Sequence, residues 1–173
     1  MGIFSKLFGK NKKRNLNLPI EYSEAIACNQ EFESLLSKNS FIARSDYKHI
    51  VEKYKTVYTF FENAQKANTL SYYCKQNKLQ ETEIQKFLLF YEDIKDLAKD
   101  STSFAEHNDS FVRDHLKSEK IYLDKILYEV DPNILLDEEQ RKVILSDEDY
   151  TLIIAGAGAG KTTTVAAKVR SEE

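Results

Sequence analysis

Glycine and alanine alternate over six residues near the carboxyl end of the chain, and lysine and threonine follow at once. The run is Ala155-Gly156-Ala157-Gly158-Ala159-Gly160-Lys161-Thr162. Small residues let a backbone wrap around a phosphate group and point several N–H groups at it. A lysine after such a loop is placed to bridge the β- and γ-phosphates of ATP, and a following threonine hydroxyl is placed to ligate Mg²⁺. The pattern predicts an ATP-binding P-loop, with Lys161 and Thr162 in those two roles.

The residues on either side of this loop fit the same prediction. An apolar, β-branched run at 150–154 precedes the loop and is typical of a buried parallel strand, whereas residues 163–170 favour a helix. The loop departs from the strict G-x-x-x-x-G-K-[ST] pattern because its first position is Ala155. A strand before the loop and a helix after it are the context that confirms such a motif, so ATP and Mg²⁺ are the expected ligands.

Gln140, before the predicted strand, is a second candidate contact for the nucleotide. Asp137 can cap a short helix, and Gln140 stands three residues later, where its side chain can bond back to the cap. The spacing alone supports a capping role and a nucleotide-binding role about equally.

The rest of the chain must position these residues, and it is predicted to be mainly helical. Gly9 and Gly156 have no glycine between them, and Pro19 and Pro132 are the only prolines. Helices of the predicted length, joined by short polar turns, indicate an antiparallel bundle, or a bundle from which one pair projects as a coiled-coil arm. Apolar residues recur at helical spacing in five segments, with Ser45 as the expected cap of the second: 21–37, 45–61, 70–79 (weaker), 82–99 and 103–128.

Composition limits the class of protein. Of 173 residues, 42% are hydrophobic and 31% are charged, which is enough for a packed core, and a net charge of -3 offers no general attraction to nucleic acid.

Cys28 and Cys74 stand far apart, so neither a disulfide framework nor a zinc ribbon is predicted, and a reducing cytoplasm fits best. No apolar run approaches the length of a membrane span. Residues 1–15 hold five cations and no acid, which indicates a basic amphipathic tail.

The Q motif and motif I of UvrD/Rep-type superfamily 1 helicases resemble two stretches of this sequence. The stretches are Leu136-Asp137-Glu138-Glu139-Gln140 and, after the run at 150–154, residues 155–162. Ala155 in the first position is the usual form in that family. The resemblance covers about residues 134–170, and it implies the first RecA-like domain as the fold. It also implies that Gln140 reads the adenine edge of ATP while the loop and Thr163 complete the nucleotide-binding residues.

Two features resemble the helicase IV-like branch of that family. Thr163 follows the P-loop threonine, where UvrD and Rep commonly have arginine. A stretch at 107–112, with the sequence His-Asn-Asp-Ser-Phe-Val, leads into a helix before the Q motif and is similar to the N-terminal extension of helicase IV-like proteins.

Three domains are expected: a basic tail at 1–20, a helical domain at 21–130, and at 131–173 the start of a RecA-like α/β ATP-binding domain, with the Q motif and Walker A only. The resemblance implies the N-terminal portion of a 3′–5′ DNA helicase, which has DNA as a partner when full length. The alternative is a helical module of a helicase IV-like ATPase that remodels a protein complex such as RNA polymerase.

No second strand ending in Asp-Glu and no arginine finger fits in the residues that remain, so this chain alone is expected to be inactive. It is either an N-terminal piece of a long helicase or the product of a truncated reading frame.

Overall fold

The computed structural model describes residues 18–172, and these residues form a mainly helical fold. The predicted fold class is confirmed in that respect, while most of the predicted tail at 1–20 lies outside the described residues. In chain order the helices are α1 (Ile20–Leu36), α2 (Arg44–Lys66), α3 (Leu70–Asn77), α4 (Glu81–Ile94), α5 (Thr102–Ser118), α6 (Lys120–Lys125), α7 (Glu138–Leu145) and α8 (Lys161–Ser171).

The larger of two hydrophobic clusters contains residues from α1, α2, α3 and α4 and from the start of α5. Each helix contributes the apolar stripe that its sequence spacing predicts, because residues three and four apart lie on one helical face. Phe104 attaches α5 to this bundle: it is 2% exposed, and its ring stacks on Phe32 and packs against Tyr47 at centroid distances of 4.8 Å. The most deeply buried large side chains of the cluster are Phe32, Tyr54, Phe61, Ile84 and Phe87.

The start of α2 differs from the sequence prediction. Ser45 is not the cap, because the helix already begins at Arg44 and Ala43 occupies the cap position. The first N–H groups of α2 donate instead to acidic side chains from a distant part of the chain. Arg44 N–H donates to Glu148 Oε1 at 3.2 Å, and Ser45 N–H donates to Asp149 Oδ2 at 2.8 Å. Carboxylates suit this position because they accept the N–H bonds and face the positive end of the helix dipole.

The turn predicted between the fourth and fifth helical segments is confirmed, although α4 ends earlier than expected. Ser101 caps α5 by accepting a hydrogen bond from the Phe104 N–H at 3.2 Å. Asp93, at the end of α4, accepts from the N–H groups of Thr102 and Ser103 and from the Ser101 hydroxyl. Burial acts to raise the pKa of Asp93, but these hydrogen bonds outweigh it and hold the pKa below its usual range.

The single helix predicted over 103–128 is two helices. The helix is interrupted at Glu119, between the end of α5 at Ser118 and the start of α6 at Lys120. The interruption coincides with a change of packing, since α5 begins in the larger cluster whereas α6 packs in the other one. That smaller cluster joins α6, α7, α8 and the connection before α7, through Leu123, Ile126, Leu127, Leu136, Ile144 and Ala167.

The strand predicted at 150–154 is not formed. The run carries no strand assignment, and Tyr150, Leu152 and Ile154 are 93%, 82% and 86% exposed. A strand requires the backbone of a neighbouring strand to pair with, and none of the residues at 18–172 is in a β-strand. The predicted α/β character of this region is therefore absent from the described part of the chain.

Two other expectations concern the environment of the protein. Within the described range, no helix has the length and apolar character needed to cross a bilayer. Cys28 and Cys74 are both free and buried, and burial raises the pKa of Cys28 to about 12, which leaves it an unreactive core residue.

Phe104 gives a test of the way in which α5 is attached to the bundle. We expect Phe104→Ala to lower the free energy of unfolding by about 3–5 kcal/mol, because it removes two ring contacts and leaves a cavity. Urea unfolding followed by circular dichroism measures this change. Leu89→Ala is the control, since Leu89 is 71% exposed, and its expected effect is below about 0.5 kcal/mol. Equal effects of the two substitutions would contradict this packing.

Candidate nucleotide-binding site

The glycine-rich loop is open to solvent and ends in the first turn of α8. Gly158 and Gly160 have φ angles of 78° and 72°, a left-handed conformation that residues with a Cβ rarely adopt. Ala159 N–H donates to the Gly156 carbonyl at 3.3 Å, so the loop turns back on itself. Gly160 is the cap residue of α8, and the first N–H groups of a helix have no acceptor within the helix. The loop therefore ends at a helix N-terminus with the polarity that favours a bound anion.

Lys161 closes over the loop that precedes it. Its ammonium donates hydrogen bonds to the Ala155 carbonyl and, at 3.0 Å, to the Gly156 carbonyl. Both acceptors are neutral, whereas a phosphate oxygen is charged and forms the stronger bond with an ammonium. The side chain is thus held beside the loop, where a phosphate group would be the better partner.

The threonines after Lys161 have different surroundings. Thr162 is exposed, and its hydroxyl makes no hydrogen bond to the residues that the structure describes. Thr163 is half-buried. Thr164 is buried, and its hydroxyl donates to the Gly160 carbonyl at 3.0 Å, which fixes the first turn of α8 on the loop. Thr164 was not identified from the sequence, although a hydroxyl four residues after the cap of a helix is a recognisable signal for such a bond.

Gln140 has the capping role that its spacing predicts. Asp137 Oδ1 accepts a hydrogen bond from the Gln140 N–H at 2.8 Å, and Gln140 Oε1 accepts one from the Asp137 N–H at 2.9 Å. This reciprocal pair fixes the side-chain amide at the start of α7. The other end of the amide, Nε2, lies against the backbone of Gly160, so closely that a Cβ on Gly160 would overlap it. The structure thus brings Gln140 and the predicted P-loop together in one place.

Contacts between α7 and α8 account for this juxtaposition. Ile144 and Ala167 are buried in the smaller cluster. Lys168 Nζ donates to the Ile144 and Ser146 carbonyls at 3.1 and 3.0 Å, and so satisfies acceptors at the end of α7. Lys168 is a structural residue that the sequence analysis missed. The available signal was a lysine in the last turn of a helix with a buried alanine beside it.

The charged side chains of α7 form ion pairs with one another and with α6. Lys142 forms ion pairs with Glu138 at 3.1 Å and Glu139 at 2.8 Å. These two carboxylates raise the pKa of Lys142. Arg141 lies on the inner side of α7 and pairs with Asp124 of α6 at 2.5 Å.

The residues at 155–163 therefore fit ATP with Mg²⁺ on the geometry of this chain. The two left-handed glycines leave backbone N–H groups accessible, an ammonium lies beside the loop, and Thr162 offers a free hydroxyl. Such a set has the groups that phosphates and a metal ion require, and the amide of Gln140 lies at the edge of the same loop.

Three alanine substitutions in the loop test its geometry. Gly156→Ala should have little effect, because its Cβ meets nothing within 4 Å and its φ angle is not left-handed. Gly158→Ala should cost about 1–2 kcal/mol through backbone strain alone. Gly160→Ala should cost this backbone strain and about 1 kcal/mol more, because the new Cβ would displace the Gln140 amide from its capping position. Hydrogen exchange in α8 measures the order of the three effects, and the same result at 156 and 160 would contradict the contact with Gln140.

Comparison with known proteins adds one finding. Residues 136–171 match the family model of the UvrD/REP helicase N-terminal domain, which covers about a fifth of the chain. No curated protein and no solved structure matches the chain. The matched residues begin at the buried Leu136, include Gln140 and the glycine-rich loop, and end in the last turn of α8. The match supports a UvrD-type family and a helicase-type function for this part of the protein.

Proposed function

We propose that this chain is the N-terminal portion of an ATP-dependent, UvrD-like superfamily 1 DNA helicase with 3′–5′ polarity, and that it binds ATP and Mg²⁺ through residues 155–163. The observation that carries the proposal is the position of the Gln140 amide against Gly160. The helicase resemblance assigns these residues to the adenine and phosphate ends of one nucleotide. Their proximity in the structure is what a shared site requires, and the family match over 136–171 supports the same assignment.

The individual residues then have distinct tasks. The loop N–H groups and the start of α8 bind the phosphates, Lys161 transfers its hydrogen bonds from the loop carbonyls to phosphate oxygens, and Thr162 holds Mg²⁺. Gln140 orients the adenine through its amide. ATP supplies the phosphoryl group whose transfer to water drives the motor.

The domain division follows from the same proposal. Residues 21–130 form a helical domain, and residues 131–173 open a RecA-like domain in the helicase IV-like branch. The exposed apolar run at 150–154 is the strand of that domain, and it becomes buried when strands of the complete motor pair with it. Thr163 stands beside the nucleotide where UvrD and Rep carry arginine.

A second candidate function uses the helical domain as a docking module for a protein such as RNA polymerase. It is favoured by Leu89, an exposed apolar residue that lines a shallow pocket on α4 together with Phe90. Duplex unwinding by the full-length protein would favour the helicase. ATP-dependent release of polymerase from nucleic acid, without unwinding, would favour the docking module.

Nucleotide binding tests the assignment of Lys161. We expect Lys161→Ala to weaken the binding of Mg·ATP by roughly ten- to a hundred-fold, because a charge-assisted hydrogen bond contributes about 1.5–3 kcal/mol. Isothermal titration calorimetry measures the affinity. Lys55→Ala is the matched control, since Lys55 is exposed on α2 and makes no ion pair within the described residues. If both variants bind like the unmodified chain, the P-loop assignment is wrong.

Hydrolysis provides a separate prediction. We expect no steady ATP turnover by this chain, because hydrolysis by P-loop enzymes also requires a carboxylate for Mg²⁺ and a group that positions water. Phosphate release over time measures the rate. A steady rate that disappears in Lys161→Ala would falsify the expectation, because both groups would then have to lie within these 173 residues.

A further inference from the structure

One groove on the surface of the smaller cluster has an unusual charge. It lies between the junction of α5 and α6 and the start of α7, and has a volume of about 400 Å³. Four cations and one carboxylate line it, around an apolar floor formed by Leu116 and the buried Leu136. The cations are Arg113, Lys117, Lys120 and Arg141, and the carboxylate is Glu138.

Two of these charged groups are already neutralised by neighbours. Arg141 pairs with Asp124 at 2.5 Å, and Glu138 pairs with Lys142 at 3.1 Å. The other three cations have no acidic partner within the described part of the chain. Arg113 donates a hydrogen bond to the Ser110 hydroxyl at 3.1 Å, while the ammonium groups of Lys117 and Lys120 make no hydrogen bond or ion pair there. Three exposed positive charges therefore share one groove without an ion-pair partner, and Glu138, which shares Lys142 with Glu139, is the one acidic group that lines it.

Helical spacing brings these cations together, because positions 113, 117 and 120 follow the i, i+4, i+7 pattern of one helical face. Arg113 and Lys117 are four residues apart on α5 and lie on the same face, about 6 Å apart along the helix axis. Lys120 begins α6 and reaches the same groove. The linear pattern does not indicate such a groove, because Asp114 and Glu119 alternate with these cations along the chain.

We infer that this groove binds the phosphodiester backbone of a nucleic acid strand. Each strand of duplex DNA carries one phosphate per about 3.4 Å of axis, so cations about 6 Å apart along α5 would face about every second phosphate. No aromatic side chain lines the groove for a base to stack on, so the contact is to phosphates and is independent of base sequence. The site lies apart from residues 155–163 and needs no nucleotide, so its failure and a failure of ATP binding are separate results.

Removal of the three charges tests the inference. The variant is Arg113→Gln/Lys117→Gln/Lys120→Gln, and the control is Lys48→Gln/Lys55→Gln/Lys75→Gln. The control residues are also exposed and form no ion pair within the described range, but they lie outside the groove. Both variants change the net charge equally and keep residues 1–17, whose cations contribute the same background. Thermal unfolding establishes that each remains folded.

Fluorescence anisotropy with a labelled, mixed-sequence single-stranded oligonucleotide, without ATP, measures the affinity from about 50 to 200 mM salt. We expect the groove variant to bind about ten-fold more weakly than the control at about 50 mM salt. The slope of log K against log salt should fall by about 0.7 for each lost contact, or about 2 in all. An equal loss in both variants overturns the inference. The inference is also overturned if the groove variant keeps oligonucleotide binding but loses binding to poly-glutamate, because the groove would then recognise an acidic protein.

Discussion

The burial of Ala167 on α8 is the contact on which the rest of the candidate site depends. In the described residues no sheet covers this helix, so its apolar face packs against α6 and α7 in the smaller cluster. Lys168 reinforces the contact by binding two carbonyls at the end of α7. With α7 held against α8 in this way, the Gln140 amide reaches Gly160 at the start of α8. Gln140 therefore both caps α7 and contacts the glycine-rich loop.

The helical bundle takes part in this arrangement through two connections. Helix α5 begins in the larger cluster, and α6, which follows the interruption at Glu119, packs in the smaller one. Asn108 secures α5 to the loop before α2, because its side chain accepts from the Ile42 N–H at 2.8 Å and donates to the Ile42 carbonyl at 2.9 Å. The stretch at 107–112 thus has a structural role, because it fixes α5, the helix that leads towards the smaller cluster.

The sequence predicted the helices well because their apolar stripes are strong and few glycines or prolines interrupt the chain. The capping box of Asp137 and Gln140 was predictable for the same reason, since it depends on residues three apart. Features formed by distant residues were not predictable. Glu148 and Asp149, and not Ser45, accept hydrogen bonds from the first N–H groups of α2. The helix expected over 103–128 is interrupted, and its two ends pack in two separate hydrophobic clusters. The strand predicted at 150–154 is not formed in the described residues for a related reason, because a strand needs a partner strand to pair with.

The acids before the loop connect the two halves of the structure directly. Glu148 and Asp149 bind the N-terminus of α2, and the exposed run at 150–154 follows them without a break. Arg44 pairs with Asp100 at the same end of α2, and this carboxylate raises the pKa of Arg44 and keeps its charge in place. The entry to the loop is therefore attached to the bundle, while the exit from the loop is attached to α7 through Lys168. Groups outside the loop therefore hold both ends of the segment in which Gly158 and Gly160 adopt left-handed φ angles.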